Sequence, residues 1–170
     1  MTEPRAITPE TLGSWLIKGS REATPIDELL RTHFSSVTGW CIRRTYRIGL
    51  VQSGQPVLFW LSGDDSRRPA GIYAQGWTTG VAREAGDPRV DPTARERRTL
   101  IMPVDLEPVD PPVLRSELLQ HPVLSQMEVL TMAAGSNPSF LTRDQVAELR
   151  SSRPQVTMAK RRRVADHPRG

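Results

Sequence analysis

The feature that most constrains this fold is the apolar run PVLFWL at residues 56–61. It follows a turn at 53–55, and a short apolar run bounded by turn residues is typical of a strand. Because side chains alternate between the two faces of a strand, Phe59 points to one face and Trp60 to the other. The neighbours of each on its own face are also apolar, which favours packing of Trp60 in a core.

The rest of the chain mixes strand and helix signals. Strands are predicted at 15–17, 37–43, 46–51, 70–78 and 99–106, and residues 79–98 are predicted to form a long loop. Helices are predicted after an N-cap at Thr24, over 113–120, and from a capping box formed by Thr142 and Gln145. This order predicts an α+β domain with a small twisted or barrel-like mixed β-sheet flanked by helices.

Charge and composition divide the chain into three parts. We expect a flexible leader at 1–13, a domain at 14–150, and a disordered basic tail at 151–170. The tail carries a net charge of +5 in a chain of +4, so residues 1–150 carry −1. The body therefore lacks the positive excess that drives non-specific binding to phosphate backbones. The tail is either a tether to nucleic acid or a solubilising end.

Several classes of protein are disfavoured by composition. No apolar run approaches the roughly 20 residues that a membrane helix needs, and the N-terminus does not resemble a secretory signal. Cys41 is the single cysteine, and three scattered histidines offer no zinc-ligand spacing. We expect a cytoplasmic protein with no membrane partner, no metal and no cofactor.

An ordered set of landmarks resembles the EVE domain, a member of the PUA-like fold group that includes the YTH readers. The segments that carry the resemblance are Trp15-Leu16-Ile17-Lys18, Gly39-Trp40 with Arg43, Gly54 to Trp60, Ala70 to Ala74, Val90-Asp91-Pro92, and Gly135 to Phe140. One departure is Gln55, which stands where the family usually has an acidic residue. The resemblance implies a non-catalytic module that recognises a modified nucleobase of DNA or RNA in an aromatic pocket.

The resemblance places Trp40 at this pocket, where an indole would stack on the base. Lys18, Gly19 and Ser20 are expected to meet the base edge, and Cys41 adjoins Trp40. For Trp40 the alternative is a core or hinge tryptophan. For Lys18, the only lysine of residues 1–150, the alternative is a solvated strand end.

Further candidates are secondary to Trp40. The additional pocket residues are Trp60, Trp77, Asn137 and Ser139, and the candidates for contact with the nucleic-acid backbone are Arg43, Arg44 and Arg47. Ordinary alternatives stand beside all of them except Trp77: core packing for Trp60, turn chemistry for Asn137 and Ser139, and a solvated face for the arginines.

Three other functions compete with base reading. Catalysis has weak support, because Asp64-Asp65 lies in a turn and Cys41 has no histidine at a recognisable spacing. A PUA-like RNA-binding module without modified-base preference would share the fold but rely on a positive face. A protein-interaction domain would use exposed tryptophans as hot spots.

Overall fold

A curled sheet of seven strands organises the chain. It is seen in a computed structural model that describes residues 6–63, 65–84, 100–132, 135 and 137–158. The strands are β1 (Leu12–Ser20), β2 (Gly39–Ile42), β3 (Pro56–Ser62), β4 (Gly71–Thr78), β5 (Arg83–Glu84), β6 (Leu100–Leu114) and β7 (Ser139–Thr142). Their order is β2-β6-β4-β3-β1-β7, with β5 also pairing to β6. Among the described strands, β1 and β3 pair in parallel and the remaining pairs are antiparallel.

Short helices flank this sheet. They are α1 (Ile26–Arg31), α2 (Arg115–Leu119), α3 (Glu128–Thr131) and α4 (Arg143–Ser152), with 3-10 turns at Tyr46–Leu50 and Leu124–Gln126. The predicted capping box of α4 is confirmed: Thr142 Oγ1 accepts from the Gln145 backbone N–H at 3.2 Å, and Gln145 Oε1 accepts from the Thr142 N–H at 3.0 Å. The curled mixed sheet with its helices confirms the predicted α+β class.

The two faces of β3 contribute to two separate hydrophobic cores. Phe59 packs on one face with apolar residues that include Trp15 of β1 and Phe34, which follows α1. Trp60 packs on the other face with apolar residues of α2, α3 and α4. Trp60 is only 3% exposed, so the alternation in residues 56–61 correctly predicted two buried faces.

Two local predictions were wrong. Residues 46–51, predicted as a strand, form the 3-10 turn Tyr46–Leu50, whose first turn is stabilised by the Arg47 N–H donating to Thr45 Oγ1 at 3.2 Å. Thr24 is not an N-cap, because Pro25 holds that position and makes no side-chain cap. The Thr24 side chain instead turns inward, and its buried hydroxyl has no partner among the described residues.

Strand β6 is longer than predicted and changes partner along its length. Its first four residues pair with β2, and the remainder pairs with β4. The β4 register jumps from Pro108 to Val113, so two adjacent prolines, Pro111 and Pro112, fall in a bulge where no ladder N–H is needed. The predicted loop 79–98 contains β5, while residues 85–99, including the Asp91-Pro92 landmark, lie outside the described residues.

The packed part of the chain extends beyond the expected limits at both ends. Ile7 is buried in the core and its N–H donates to Tyr46 Oη at 3.1 Å, so the expected leader 1–13 is too long. Val156 and Met158 are buried beside β4, where Gln75 bonds the backbone of Gln155 and Met158. The tail predicted from 151 therefore begins within packed structure; residues 159–170 lie outside the described residues. No described helix has the length and apolarity to span a bilayer.

Candidate functional site

Trp40 lies on β2 with its indole fixed on two sides. Its Nε1 donates to the Lys18 backbone carbonyl oxygen at 3.0 Å. Its ring meets the Phe59 ring edge-on, with centroids 4.9 Å apart and planes at 83°. The side chain is half-buried. This arrangement holds the ring in one orientation in a residue that is only half-buried.

Gly19 permits the close approach of this indole to β1. A Cβ atom at residue 19 would lie 3.0 Å from Trp40 Cζ2 and 2.7 Å from Phe59 Cζ, closer than side chains normally pack. The same atom would lie 2.6 Å from the unpartnered Thr24 hydroxyl. Ser20 follows Gly19 at the exposed end of β1, and its Oγ accepts from the Ala23 N–H at 3.3 Å. The Trp40 surface thus adjoins the end of β1.

Asn137 joins β1 to β2, which lie far apart in the strand order. Its Oδ1 accepts from the Lys18 N–H at 3.2 Å, and its Nδ2 donates to the carbonyl oxygens of Lys18 at 3.2 Å and Cys41 at 3.3 Å. The Arg43 N–H donates to the Asn137 carbonyl at 2.7 Å. Asn137 therefore links the two strands beside Trp40. This structural role was not expected from the sequence, which indicated only a position at the pocket rim.

The Lys18 side chain points to the opposite face of β1 from Trp40. Residue 18 is in register with Trp60, whereas Gly19 contacts the Trp40 ring. The Lys18 ammonium donates to the Gly135 carbonyl at 2.8 Å. Burial lowers the pKa of Lys18, opposed by Glu128 and assisted by nearby arginines. Trp40 therefore contacts the backbone of Lys18 and not its ammonium. The sequence had suggested that Trp40 and the Lys18 side chain line one pocket.

Arg47 is buried in an ion pair. Its two terminal nitrogens donate to the two carboxylate oxygens of Glu128 at 2.8 and 2.7 Å, which raises the pKa of Arg47. Its guanidinium also lies 4.9 Å from the centre of the Phe140 ring. Ser139, 1% exposed, donates its hydroxyl to Glu128 at 2.8 Å. These placements differ from the expected phosphate contact of Arg47 and pocket-rim position of Ser139, because Glu128 engages both inside the fold.

The other candidates occupy different environments. Arg43 and Arg44 are exposed next to β2, and Arg44 lies 3.5 Å from Glu84. Cys41 is exposed and forms no disulfide. Trp77 is half-buried on β4 opposite Pro56 and Asp105. Cys41 and the two arginines thus follow Trp40 along the chain, with Cys41 on the opposite face of β2, while Trp60 and Trp77 lie on other strands.

The described residues offer little catalytic chemistry. They contain no group of three or more histidine, cysteine, aspartate or glutamate residues able to hold a metal. Asp65 pairs with Arg21 at 2.7 Å, and its backbone contact with Arg67 lowers the pKa of Asp65; Asp64 lies outside the described residues. His121 Nδ1 accepts from the Val123 and Leu124 N–H groups at 3.1 Å each, a capping contact.

Two important residues were missed by the sequence reasoning. Phe59 supports the Trp40 ring, and the alternation of residues 56–61 placed it on a buried face without indicating this partner. Glu128 engages Arg47 and Ser139, but a lone glutamate 81 residues from its arginine gives no sequence signal.

Comparison with known proteins is informative at the level of structure. No family model and no curated protein matches the sequence. A solved structure from Pseudomonas putida matches with a TM-score of 0.59 and 16% identity over 82% of this chain and 99% of that chain. Rpa0253 from Rhodopseudomonas palustris matches at 0.58 and 14%, over 92% and 100%. Human THYN1, solved with DNA containing 5-methylcytosine, matches at 0.52 and 19%, over 80% and 96%.

Proposed function

We propose that this chain, which has an EVE/PUA-like fold, is a non-catalytic nucleic-acid binding module that recognises a modified base on Trp40. The observation that carries the proposal is the state of the Trp40 indole: half-buried, tied to Lys18 by its N–H, and braced edge-on by Phe59. A ring held in one orientation loses little conformational freedom when a base stacks on it. Stacking of one base on an aromatic side chain contributes about 1–3 kcal/mol.

The groups around Trp40 suit the remaining tasks of a base reader. Gly19 and the exposed Ser20 bring backbone and hydroxyl groups to the end of β1, where a base edge is recognised by hydrogen bonds. Arg43 and Arg44 are exposed on the β2 side and are suited to flanking phosphates, contacts that position a strand without reading its sequence. Cys41 follows Trp40 in the sequence and is exposed.

A small apolar modification contributes little by itself. Burial of one methyl group adds about 0.8 kcal/mol, so discrimination depends on a pocket shape that leaves space for the modification. The net charge of −1 on residues 1–150 supports a mechanism based on such local fit, since the body has no positive excess to hold nucleic acid by charge alone.

The DNA complex of THYN1 supports nucleic acid as the partner class, because that protein shares the fold of this chain. The binding experiment below distinguishes DNA from RNA and identifies the modification. The second candidate is a PUA-like RNA-binding module without modified-base preference, which the exposed Arg43 and Arg44 would also serve.

The proposal is tested with short DNA and RNA oligonucleotides that each carry one base, modified or unmodified, at a fixed position. Affinity is measured for the wild type and for Trp40→Ala, with circular dichroism to check folding. We expect tighter binding to one modified base, and loss of that preference in Trp40→Ala.

Two controls separate the alternatives. Trp77→Ala removes another half-buried tryptophan and should keep the preference. A chain ending at residue 158 removes the basic segment beyond the described residues and should weaken binding to every oligonucleotide equally. Equal affinity for modified and unmodified bases in the wild type would favour the RNA-binding module without base preference.

A further inference from the structure

A cavity of about 590 Å³ opens on the face of β1 and β3 opposite Trp40. Strand side chains on this face and the segment that leads into β4 form its walls, and residues at the start of α2 complete them. The lining residues used below are Lys18, Trp60, Ser62, Asp65, Arg115 and Ser116. Because Lys18 and Trp60 are register partners on β1 and β3, they present neighbouring side chains to this cavity.

Trp60 supplies a polar group that the fold leaves unused. Trp60 lines the cavity and is 3% exposed, and its indole N–H makes no hydrogen bond to a described residue. A ligand with an acceptor oxygen in this cavity would give the N–H a partner, while the apolar part of the ring would contact the body of the ligand.

The charged groups that line the cavity favour an anion. The Lys18 ammonium has three donors, and one is used by the Gly135 carbonyl. Arg115 is exposed at the first position of α2. Asp65, the acidic residue of the described lining, is neutralised by Arg21 at 2.7 Å. Glu128 acts on Lys18 from α3, but its two oxygens already accept from Arg47 and Ser139.

The polar lining is therefore rich in donors. The hydroxyls of Ser62 and Ser116 can donate to the same ligand as the two cations and the indole N–H. Lysine binds phosphate as a point charge, and arginine adds a fork of donors. The apolar floor, formed partly by Trp60 and Val129, suits a ligand that has an apolar or planar body next to its anionic group.

We propose that this cavity is a second binding site, for a phosphate-bearing ligand of mononucleotide size. The phosphate would lie between Lys18 and Arg115, with the Trp60 N–H and the serine hydroxyls as further donors. The phosphate has two possible sources, a free nucleotide or the end of a nucleic-acid strand. The site is separate from the Trp40 surface, because β1 lies between them.

The test uses the full chain, labelled with ¹⁵N, and four probes: inorganic phosphate, a 5′-mononucleotide, and one oligonucleotide with and without a 5′-phosphate. Calorimetry gives the affinity, and the indole N–H resonances show which tryptophan responds. We expect the mononucleotide to bind and to shift the Trp60 indole resonance. If the 5′-phosphorylated oligonucleotide shifts it equally, the source is a strand end; if it does not, the source is a free nucleotide.

The variants are chosen so that folding does not decide the result. Arg115→Gln changes an exposed residue and should lower the affinity for the mononucleotide about tenfold or more, as expected for loss of hydrogen bonds to a charged group. Trp60→Phe keeps an aromatic ring but removes the N–H, and should also lower the affinity for the mononucleotide. Arg150→Gln, an exposed arginine on α4, is the matched control and should change nothing.

The proposal is overturned if neither phosphate nor the mononucleotide shifts the Trp60 resonance at millimolar concentration. Equal losses in Arg115→Gln and Arg150→Gln would also overturn it, because they would indicate general charge attraction. Failure here leaves the Trp40 proposal standing, since Trp40→Ala alters the other face and should not change mononucleotide binding.

Discussion

The Trp40 indole N–H donates to the Lys18 carbonyl oxygen, while the Lys18 side chain projects from the other face of the same strand and donates to the Gly135 carbonyl oxygen. One residue of β1 thus takes part in two surfaces, its backbone in one and its side chain in the other. This division follows from strand alternation, which places residues 18 and 19 on opposite faces. It implies that substitutions of the Lys18 side chain and of Trp40 have separable effects.

Gly19→Ala should disturb the Trp40 surface directly. The added Cβ would lie 3.0 Å or less from Trp40 Cζ2, Phe59 Cζ and Thr24 Oγ1. We expect a loss of about 1–3 kcal/mol in the free energy of unfolding, typical of overpacking, and a change in tryptophan fluorescence. Urea denaturation measures the first effect.

The matched control for this change is Gly49→Ala. A Cβ at residue 49 has nothing within 4 Å, so stability and fluorescence should stay near those of the wild type. If both glycine variants behave alike, close packing at Gly19 is not what positions the indole.

Asn137→Ala should loosen the link between β1 and β2. The substitution removes two bonds to the Lys18 backbone and one to the Cys41 carbonyl. An unpaired buried polar group costs about 1–3 kcal/mol, so we expect destabilisation of that order. Hydrogen exchange should also quicken at the Lys18 and Arg43 amides. Unchanged exchange at both amides would contradict the bridging role.

Arg47→Met should be strongly destabilising, because it leaves the Glu128 carboxylate buried without its cation. Breaking one partner of a buried pair costs about 3–5 kcal/mol. The double variant Arg47→Met with Glu128→Leu should recover much of the loss. Arg44→Ala, which breaks an exposed contact with Glu84, is the control and should cost about 0–1 kcal/mol. Similar losses in the two single arginine variants would show that burial of Arg47 is unimportant.

Lys18→Met should change the pH dependence of stability. Burial lowers the pKa of Lys18, with Arg43 and Arg47 adding to this and Glu128 opposing it. The unfolded chain therefore binds the proton more tightly, and wild-type stability should rise relative to Lys18→Met as the pH increases from the lowered pKa to about 10.4, the ordinary lysine value. Denaturation of both proteins across this range measures the difference; a constant or falling difference would contradict the shift.

The parts of the structure set by local patterns were the ones predicted from sequence. Alternation in residues 56–61 indicated the two buried faces, and the Thr142–Gln145 spacing indicated the start of α4. The turn Tyr46–Leu50 was missed because its apolar residues fit a strand equally well, and the bond from Arg47 to Thr45 that selects the turn is not visible in composition.

Long-range contacts explain the remaining differences. The buried state of Arg47 depends on Glu128, 81 residues later, and Asn137 reaches Lys18 across 119 residues. No residue spacing in the sequence predicts such pairs. One difference could nonetheless have been predicted from the sequence. By strand alternation, Lys18 lies on the same face of β1 as Leu16, and Gly19, which adjoins Trp40, lies on the face of Ile17. The Lys18 side chain and Trp40 therefore lie on opposite faces.

The central claim is that a base stacks on Trp40, and the most direct measurement is the ¹H–¹⁵N indole spectrum with intermolecular NOEs during titration of a modified oligonucleotide. The proposed function predicts that ring protons of Trp40 shift and show NOEs to the modified base, while the Trp15 indole, bonded to Gln55 in the core, does not move. Saturable binding that leaves the Trp40 ring protons unshifted and without NOEs would contradict it.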